Sequence, residues 1–185
     1  GTTESSTYDD AGNLVSSTDA LGRTTSYDYD AANRLVAVTD PTGETTTIRW
    51  TTLDRVASIT DALGRTTRFG YDVDGNLVEI VRPDGATTTY AYDASGLPTR
   101  MTDPNGAVTT TTYDGLRRPV TIEYSDGRTV DYTYVDASTT PATITDHRGV
   151  TTQDTDERGR VVSRTEPDGT TVEYDYDDGN RLVAV

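Results

Sequence analysis

The sequence predicts an all-β fold of tandem 21-residue β-hairpin repeats that form a long, curved antiparallel sheet. An aromatic residue recurs at a fixed step, and two turn motifs separate β-prone runs within each step. Of the nine positions spaced 21 residues apart from Tyr8 onward, eight are aromatic, and Thr155 is the exception. These residues, here called the anchors, are Tyr8, Tyr29, Trp50, Tyr71, Tyr92, Tyr113, Tyr134 and Tyr176. We therefore expect residues 1–185 to be a single array of about eight to nine repeats, cut from a longer array at both ends.

A glycine lies fourteen residues after most anchors and is predicted to close a tight turn. In Arg82-Pro83-Asp84-Gly85, proline presets φ and glycine supplies the positive φ that rejoins the strand. A type I turn with a glycine bulge fits these residues. The predicted turn glycines are Gly22, Gly43, Gly64, Gly85, Gly106, Gly127, Gly149 and Gly169. Gly149 comes one residue late, which predicts one inserted and one deleted residue in that repeat.

The second turn follows the anchor and varies more in sequence. Asn33 or Asp54 can stand at its glycine position, and both residue types tolerate left-handed backbone. This end of the hairpin is therefore expected to be looser than the glycine end.

Between the turns, residues two apart share one face of a strand, as Val78 and Ile80 or Tyr90 and Tyr92 do. Cross-strand pairs of such residues contribute about 0.2–1 kcal/mol each, so stability accumulates along the array. Two strands per repeat give roughly sixteen to eighteen strands, more than open sheets hold without curling. The sheet is therefore expected to bend.

Composition limits the partners of the chain. It carries 31 acidic residues against 16 basic ones and has a formal net charge of −15, which disfavours nucleic acid and anionic surfaces. It has no cysteine, so neither a disulfide framework nor a zinc–cysteine site can form. No apolar run is long enough to span a membrane, and no motif predicts a cofactor.

The recurring motifs resemble the YD repeat, or Rhs repeat. They are Tyr8-Asp9 leading to Gly12-Asn13-Leu14, Tyr29-Asp30 leading to Asn33-Arg34-Leu35, and Asp61-Ala62-Leu63-Gly64-Arg65-Thr66-Thr67. This family includes bacterial Rhs and wall-associated toxins, the B and C components of insecticidal toxin complexes, and teneurins. The resemblance implies a sheet that spirals into a hollow shell, often around a toxic C-terminal domain.

By that resemblance, the chain is expected to be a structural shell or spacer segment whose neighbours are repeats of the same parent chain. In the parent protein it would enclose or present a C-terminal effector domain. The parent is expected to be a bacterial protein that is secreted or exposed at the cell surface. The core-associated segment of the family, with its self-cleaving carboxylates, has no counterpart in these residues.

No pattern singles out a catalytic or metal site, and the chain is predicted not to be an enzyme. His147 is the only histidine and is expected to be an exposed turn residue. Asp72-Val73-Asp74-Gly75-Asn76 resembles the start of a calcium loop, but Pro83 stands where an EF-hand requires glutamate. Carboxylates recur in every repeat, whereas an active site needs one unique constellation.

Two alternatives stay open. Rows of aromatic rings can stack on sugars, with Trp50, Tyr90 and Tyr92 as the candidate sugar-stacking residues, although cross-strand packing explains their repetition equally well. The alternative function is a carbohydrate-binding or adhesive surface of a cell-surface protein. Unpaired strands at the ends of an excised array could also pair edge to edge in self-association.

Overall fold

The computed structural model describes residues 4–185, and none of these residues forms a helix. The predicted all-β hairpin fold is confirmed. Strands β1 to β17 belong to a 17-stranded antiparallel sheet, and β18 and β19 form a two-stranded ladder. The chain divides into two compact units, and the division falls between Thr89 and Tyr90.

The first unit contains strands that each pair antiparallel with the next one in sequence. They are β1 (Ser5–Tyr8), β2 (Leu14–Thr18), β3 (Thr24–Tyr29), β4 (Leu35–Thr39), β5 (Thr45–Trp50), β6 (Val56–Thr60), β7 (Thr66–Tyr71), β8 (Leu77–Val81) and the start of β9 (Thr87–Tyr92).

The second unit continues the same sequential antiparallel pairing from β10 to β17. Its strands are β10 (Pro98–Thr102), β11 (Val108–Tyr113), β12 (Pro119–Tyr124), β13 (Thr129–Thr133), β14 (Thr143–Asp146), β15 (Gly149–Thr155), β16 (Val161–Thr165), β17 (Thr171–Glu173), β18 (Asp175–Tyr176) and β19 (Leu182–Ala184). By position in the repeat, β17 and β18 correspond to one strand interrupted at Tyr174.

Apart from the turns of residues 135–138 and 146–149, the turns at both ends of the hairpins share one hydrogen-bond pattern. In the glycine turn of residues 19–22, the Gly22 amide donates to the Asp19 carbonyl at 2.9 Å, and the Asp19 amide donates to the Arg23 carbonyl at 3.0 Å. The turn after the anchor Tyr29 has the same two bonds, at 2.9 Å from Asn33 to Asp30 and 3.0 Å from Asp30 to Arg34. The anchor-side end of the hairpin is therefore not looser in hydrogen bonding, because its first and fourth residues are fixed in the same way.

In the turns with this pattern the fourth residue takes a positive φ, which explains the glycines. The φ of Gly85 is 84°, typical of the predicted turn glycines other than Gly149. At the anchor-side turns the place is filled by glycine or by residues such as Asn33, Asp54 and Arg117, the last at φ 65°. An arginine at this position could not be anticipated from turn propensity.

The repeat that starts at Tyr134 and contains Gly149, here called the slipped repeat, has one insertion and one deletion, as the sequence indicates. Thr112 pairs with Thr121, nine residues on, whereas Thr133 pairs with Thr143, ten residues on. The next pair of strands is one residue shorter, since Thr143 pairs with Thr152, nine residues on, across a two-residue turn before Gly149. The equivalent pair, Thr121 and Asp131, is ten residues apart. Gly149 has a φ of 132°, and a Cβ there would lie 2.9 Å from the Cβ of Pro167.

The described residues contain no buried hydrophobic side chain; only Thr88 and Thr151 are buried. The sheet is thus a single layer, and its apolar residues pair across strands. Ile48 lies opposite Ile59, and Phe69 lies opposite Ile80. Stability must come from contacts between neighbouring strands and turns, which is the energetics of a repeat protein.

Substituting Gly85 by valine should lower the free energy of unfolding by about 1–3 kcal/mol, because a β-branched residue is strained at its positive φ. The added Cβ would meet no atom within 4 Å, so the cost is conformational. Urea unfolding followed by circular dichroism measures it.

Gly115→Val is the matched control, since Gly115 has the same open surroundings without a positive φ. Equal destabilisation by the two substitutions would contradict the turn assignment.

Candidate functional site

The edge of the sheet that carries the anchors holds the main side-chain network. Six anchor side chains each donate a hydrogen bond to the backbone carbonyl fifteen residues earlier. The bonds run from Tyr29 to Leu14 (3.0 Å), Trp50 to Leu35 (2.8 Å), Tyr71 to Val56 (3.0 Å), Tyr113 to Pro98 (2.8 Å), Tyr134 to Pro119 (2.8 Å) and Tyr176 to Val161 (3.0 Å).

These bonds close the open end of a hairpin. The backbone pairing of β2 with β3 stops at Ser16 opposite Ser26, so Leu14 and Tyr29 lie beyond the ladder. The Tyr29 hydroxyl spans that gap. Trp50 performs the same function through its indole N–H, which can only donate, so all six of these anchors are large rings that carry a donor.

Four of the anchor rings are each covered by an arginine from the preceding repeat. The guanidinium carbon lies 4.2 Å from the ring centroid in the closest pair, which is a cation–π contact. The pairs are Arg34 over Trp50, Arg55 over Tyr71, Arg118 over Tyr134 and Arg160 over Tyr176. The arginine always lies sixteen residues before its ring.

Three of these arginines, Arg34, Arg118 and Arg160, connect consecutive anchor-side turns. Arg34 pairs with Asp30 of its own turn and with Asp54 of the next one, both at 2.6 Å. Arg118 donates to the backbone carbonyls of Asp136 and Ser138, at 2.8 and 2.7 Å. We call this set of residues, Arg34, Arg55, Arg118 and Arg160, the arginine row.

Aspartates at the first turn position fix the backbone of the turns. The Asp30 carboxylate accepts from the Ala32 and Arg34 amides at 2.9 and 3.0 Å and from the Arg34 guanidinium. The Arg34 side chain, followed by the backbone donors, holds the pKa of Asp30 below its ordinary value. Asp156 shows the same lowered pKa, mainly because Arg160 donates to it.

The sequence-predicted residues fall at defined places in this network. Tyr8 lies in β1 and is 63% exposed, and Tyr92 ends β9. Thr155, the one step without an aromatic residue, is exposed. Sequence reasoning missed the arginine row, although its signal was present: Arg34, Arg55, Arg118 and Arg160 follow the 21-residue period.

The candidate sugar-stacking residues stay a prediction. Trp50 already donates its indole N–H to Leu35 and carries Arg34 over its ring at 5.7 Å. Tyr90 and Tyr92 are half-buried in β9. No contact of these side chains favours a sugar over the packing role.

The other candidates serve turn geometry. His147 is exposed in the two-residue turn between β14 and β15. The Asp72 carboxylate accepts from the amide and the side chain of Asn76, at 2.8 and 2.9 Å. No group of three or more acidic or histidine side chains suited to a metal ion occurs between residues 4 and 185.

Replacing Tyr134 by phenylalanine should lower the free energy of unfolding by about 1 kcal/mol, because the bond to the Pro119 carbonyl is lost while the ring is kept. Urea unfolding of the purified variant measures the change. Tyr8→Phe is the control, since its side chain is mostly exposed, and should change little. Equal effects in the two variants would mean that the hydroxyl bond contributes nothing.

Acid should weaken the anchor-side turns. A carboxylate with a lowered folded-state pKa contributes stability above its unfolded pKa of about 4, and that contribution is lost as the pH falls through the folded value. Wild type should therefore be more stable than Asp30→Asn at neutral pH, and the difference should shrink below about pH 4. Urea midpoints across this range test it, and a difference that grows on acidification would refute it.

Among residues 4–185 there is no helix, and hence none long and apolar enough to cross a membrane. No curated protein sequence matches the chain. Among solved structures, a mutant Photorhabdus luminescens Tc holotoxin pore is 15% identical, with a TM-score of 0.60 over 97% of this chain and 14% of that one. TcdB2-TccC3 is 18% identical, with a TM-score of 0.62 over 95% of this chain and 11% of that one. At such identities the likeness shows the fold, and this chain spans only a small part of those proteins.

A family model described as RHS Repeat matches residues 8–45, 50–87, 71–108, 92–129 and 156–185. These segments cover most of the chain and leave out residues 1–7, 46–49 and 130–155, and the last of these ranges contains the slipped repeat. The matched segments contain every anchor except Tyr134 and all four residues of the arginine row. The chain belongs to the RHS repeat family.

Proposed function

We propose that the chain is a segment of structural wall which, in its natural protein, encloses or presents an effector domain outside the cell. The observation that carries the proposal is a single-layer sheet without a buried hydrophobic residue among those described, held together repeat by repeat. Such a sheet separates two sides, and its extent grows with the number of repeats. Residues 1–185 would act in it as one array of eight to nine repeats.

Similar proteins support this role. The chain shares its fold with part of TcdB2-TccC3 and with part of the Photorhabdus luminescens Tc holotoxin pore, which is a toxin by name. A wall segment of a protein of this kind would be secreted or exposed at the cell surface, and its immediate partners would be further repeats.

We infer a structural role rather than catalysis. The aspartates recur in equivalent turns, where their carboxylates accept backbone and arginine hydrogen bonds, as Asp30, Asp114 and Asp156 do. A catalytic carboxylate requires a unique environment, and these environments repeat. Their lowered pKa follows from turn geometry.

Limited proteolysis of the full-length natural protein tests the enclosure. We expect a domain surrounded by the wall to resist proteinase K in the wild type, because the protease cannot pass a continuous sheet. Gly85→Val combined with Gly106→Val should expose that domain by straining two adjacent glycine turns, both at φ 84°. Appearance and decay of fragments are followed by mass spectrometry.

Gly115→Val is again the control and should leave the digestion pattern unchanged. A domain that is digested at once in the wild-type protein would contradict enclosure, and presentation at the outer surface would then be the surviving form of the proposal.

A further inference from the structure

The slipped repeat replaces both members of the arginine–ring pair. Thr121 pairs with Asp131 in the preceding repeat, and Thr143 pairs with Thr152 in the slipped one. Thr143 is therefore equivalent to Thr121, and Thr152 is equivalent to Asp131. The same shifts put Thr140 at the place of Arg118 and Thr155 at the place of Tyr134. Two threonines therefore stand where the preceding repeat has a guanidinium 4.2 Å from a phenol ring.

Part of the network is kept at this place. The Thr140 hydroxyl donates to the Gly159 carbonyl of the next turn at 3.2 Å, as Arg118 donates to the carbonyl of Asp136 in its own next turn. The turn-to-turn connection thus survives. What is missing is the ring, together with the cation that would cover it.

A pocket of about 410 Å³ opens at this position. Val135, Ser138, Thr140 and Ala142 line one wall, and residues 152–155 line the other. The pocket contains both replaced positions, Thr140 and Thr155. Its volume is within the range of small-molecule sites.

We propose that this pocket binds a neutral phenol-type ring, a single aromatic ring that carries one hydrogen-bond donor. The chain itself supplies the precedent, because six other repeats fill the equivalent position with a phenol or indole whose donor reaches a backbone carbonyl. In the slipped repeat, the Pro141 carbonyl holds the place of the Pro119 carbonyl that accepts from Tyr134.

The lining residues also set the charge of the ligand. Asp154 lies in one wall and no arginine lies in either, so an anionic ring is disfavoured. Val135 and Ala142 provide apolar contact, and the threonine and serine side chains provide polar contact. A free phenol and a tyrosine side chain of a polypeptide are the two sources of such a ring, and they share the chemistry that the pocket recognises.

The probe is p-cresol, which is the tyrosine side chain without its backbone. Titration into the ¹⁵N-labelled chain should give saturable amide shifts confined to residues 135–142 and 152–155. 4-Methylanisole, which has the same ring without a donor, should shift these amides less. N-acetyltyrosinamide run in parallel separates the sources: binding of both compounds assigns a tyrosine of a polypeptide, and binding of p-cresol alone assigns a free phenol.

Thr155→Tyr supplies the missing ring from the chain and should abolish the p-cresol shifts while raising the melting temperature. Thr47→Tyr, which adds a ring at an exposed position of β5, is the matched control and should leave them intact. Ala142→Phe fills the pocket from the opposite wall and should also abolish the p-cresol shifts. It is the second test variant if Thr155→Tyr does not fold. Shifts that fail to saturate, that persist in both filled variants, or that are as large with 4-methylanisole would overturn the proposal.

Discussion

The fold depends on how a single-layer sheet holds neighbouring hairpins together without a core. Backbone ladders supply most of the connection, but each ladder between the two strands of a hairpin stops before the anchor-side end. The donor on the anchor ring closes that end by bonding to a carbonyl fifteen residues back, as Tyr71 does to Val56. This bond fixes both the identity of the anchor and the length of the repeat, since a different spacing would place the ring against another residue.

The arginine row adds electrostatic contacts to the same edge. Arg118 stacks on the ring of Tyr134, pairs with Asp114 at 2.6 Å and reaches the next turn, while its side chain stays only 15% exposed. Such partly desolvated contacts contribute more than exposed ion pairs like that of Arg23 with Asp19, whose arginine is 64% exposed. The anchor-side edge is thus the more strongly connected edge of the sheet, and a chain with a net charge of −15 uses much of its scarce positive charge there.

Much of the fold follows from local sequence, because turn chemistry and strand periodicity act within a few residues. The 21-residue period, the strands and the inserted and deleted residues around Gly149 were predictable for that reason. The bonds from Tyr29 to Leu14 and from Arg34 to Asp54 were not, because they depend on the register between segments that sequence periodicity does not define. Arg117 at a positive φ was unpredictable as well, since its position in the turn is imposed by the repeat and opposes its own preference. Of the pocket in the slipped repeat, the sequence showed only the missing aromatic residue at Thr155.

Native-state hydrogen exchange of Trp50→Phe tests most directly whether stability is carried from repeat to repeat by the anchor bond. The substitution keeps a ring and removes the donor to Leu35. The account predicts faster amide exchange in β4 and β5 and in the strands next to them, with unchanged exchange in strands farther along the same unit. Uniformly faster exchange throughout residues 4–89, or no change at all, would contradict it.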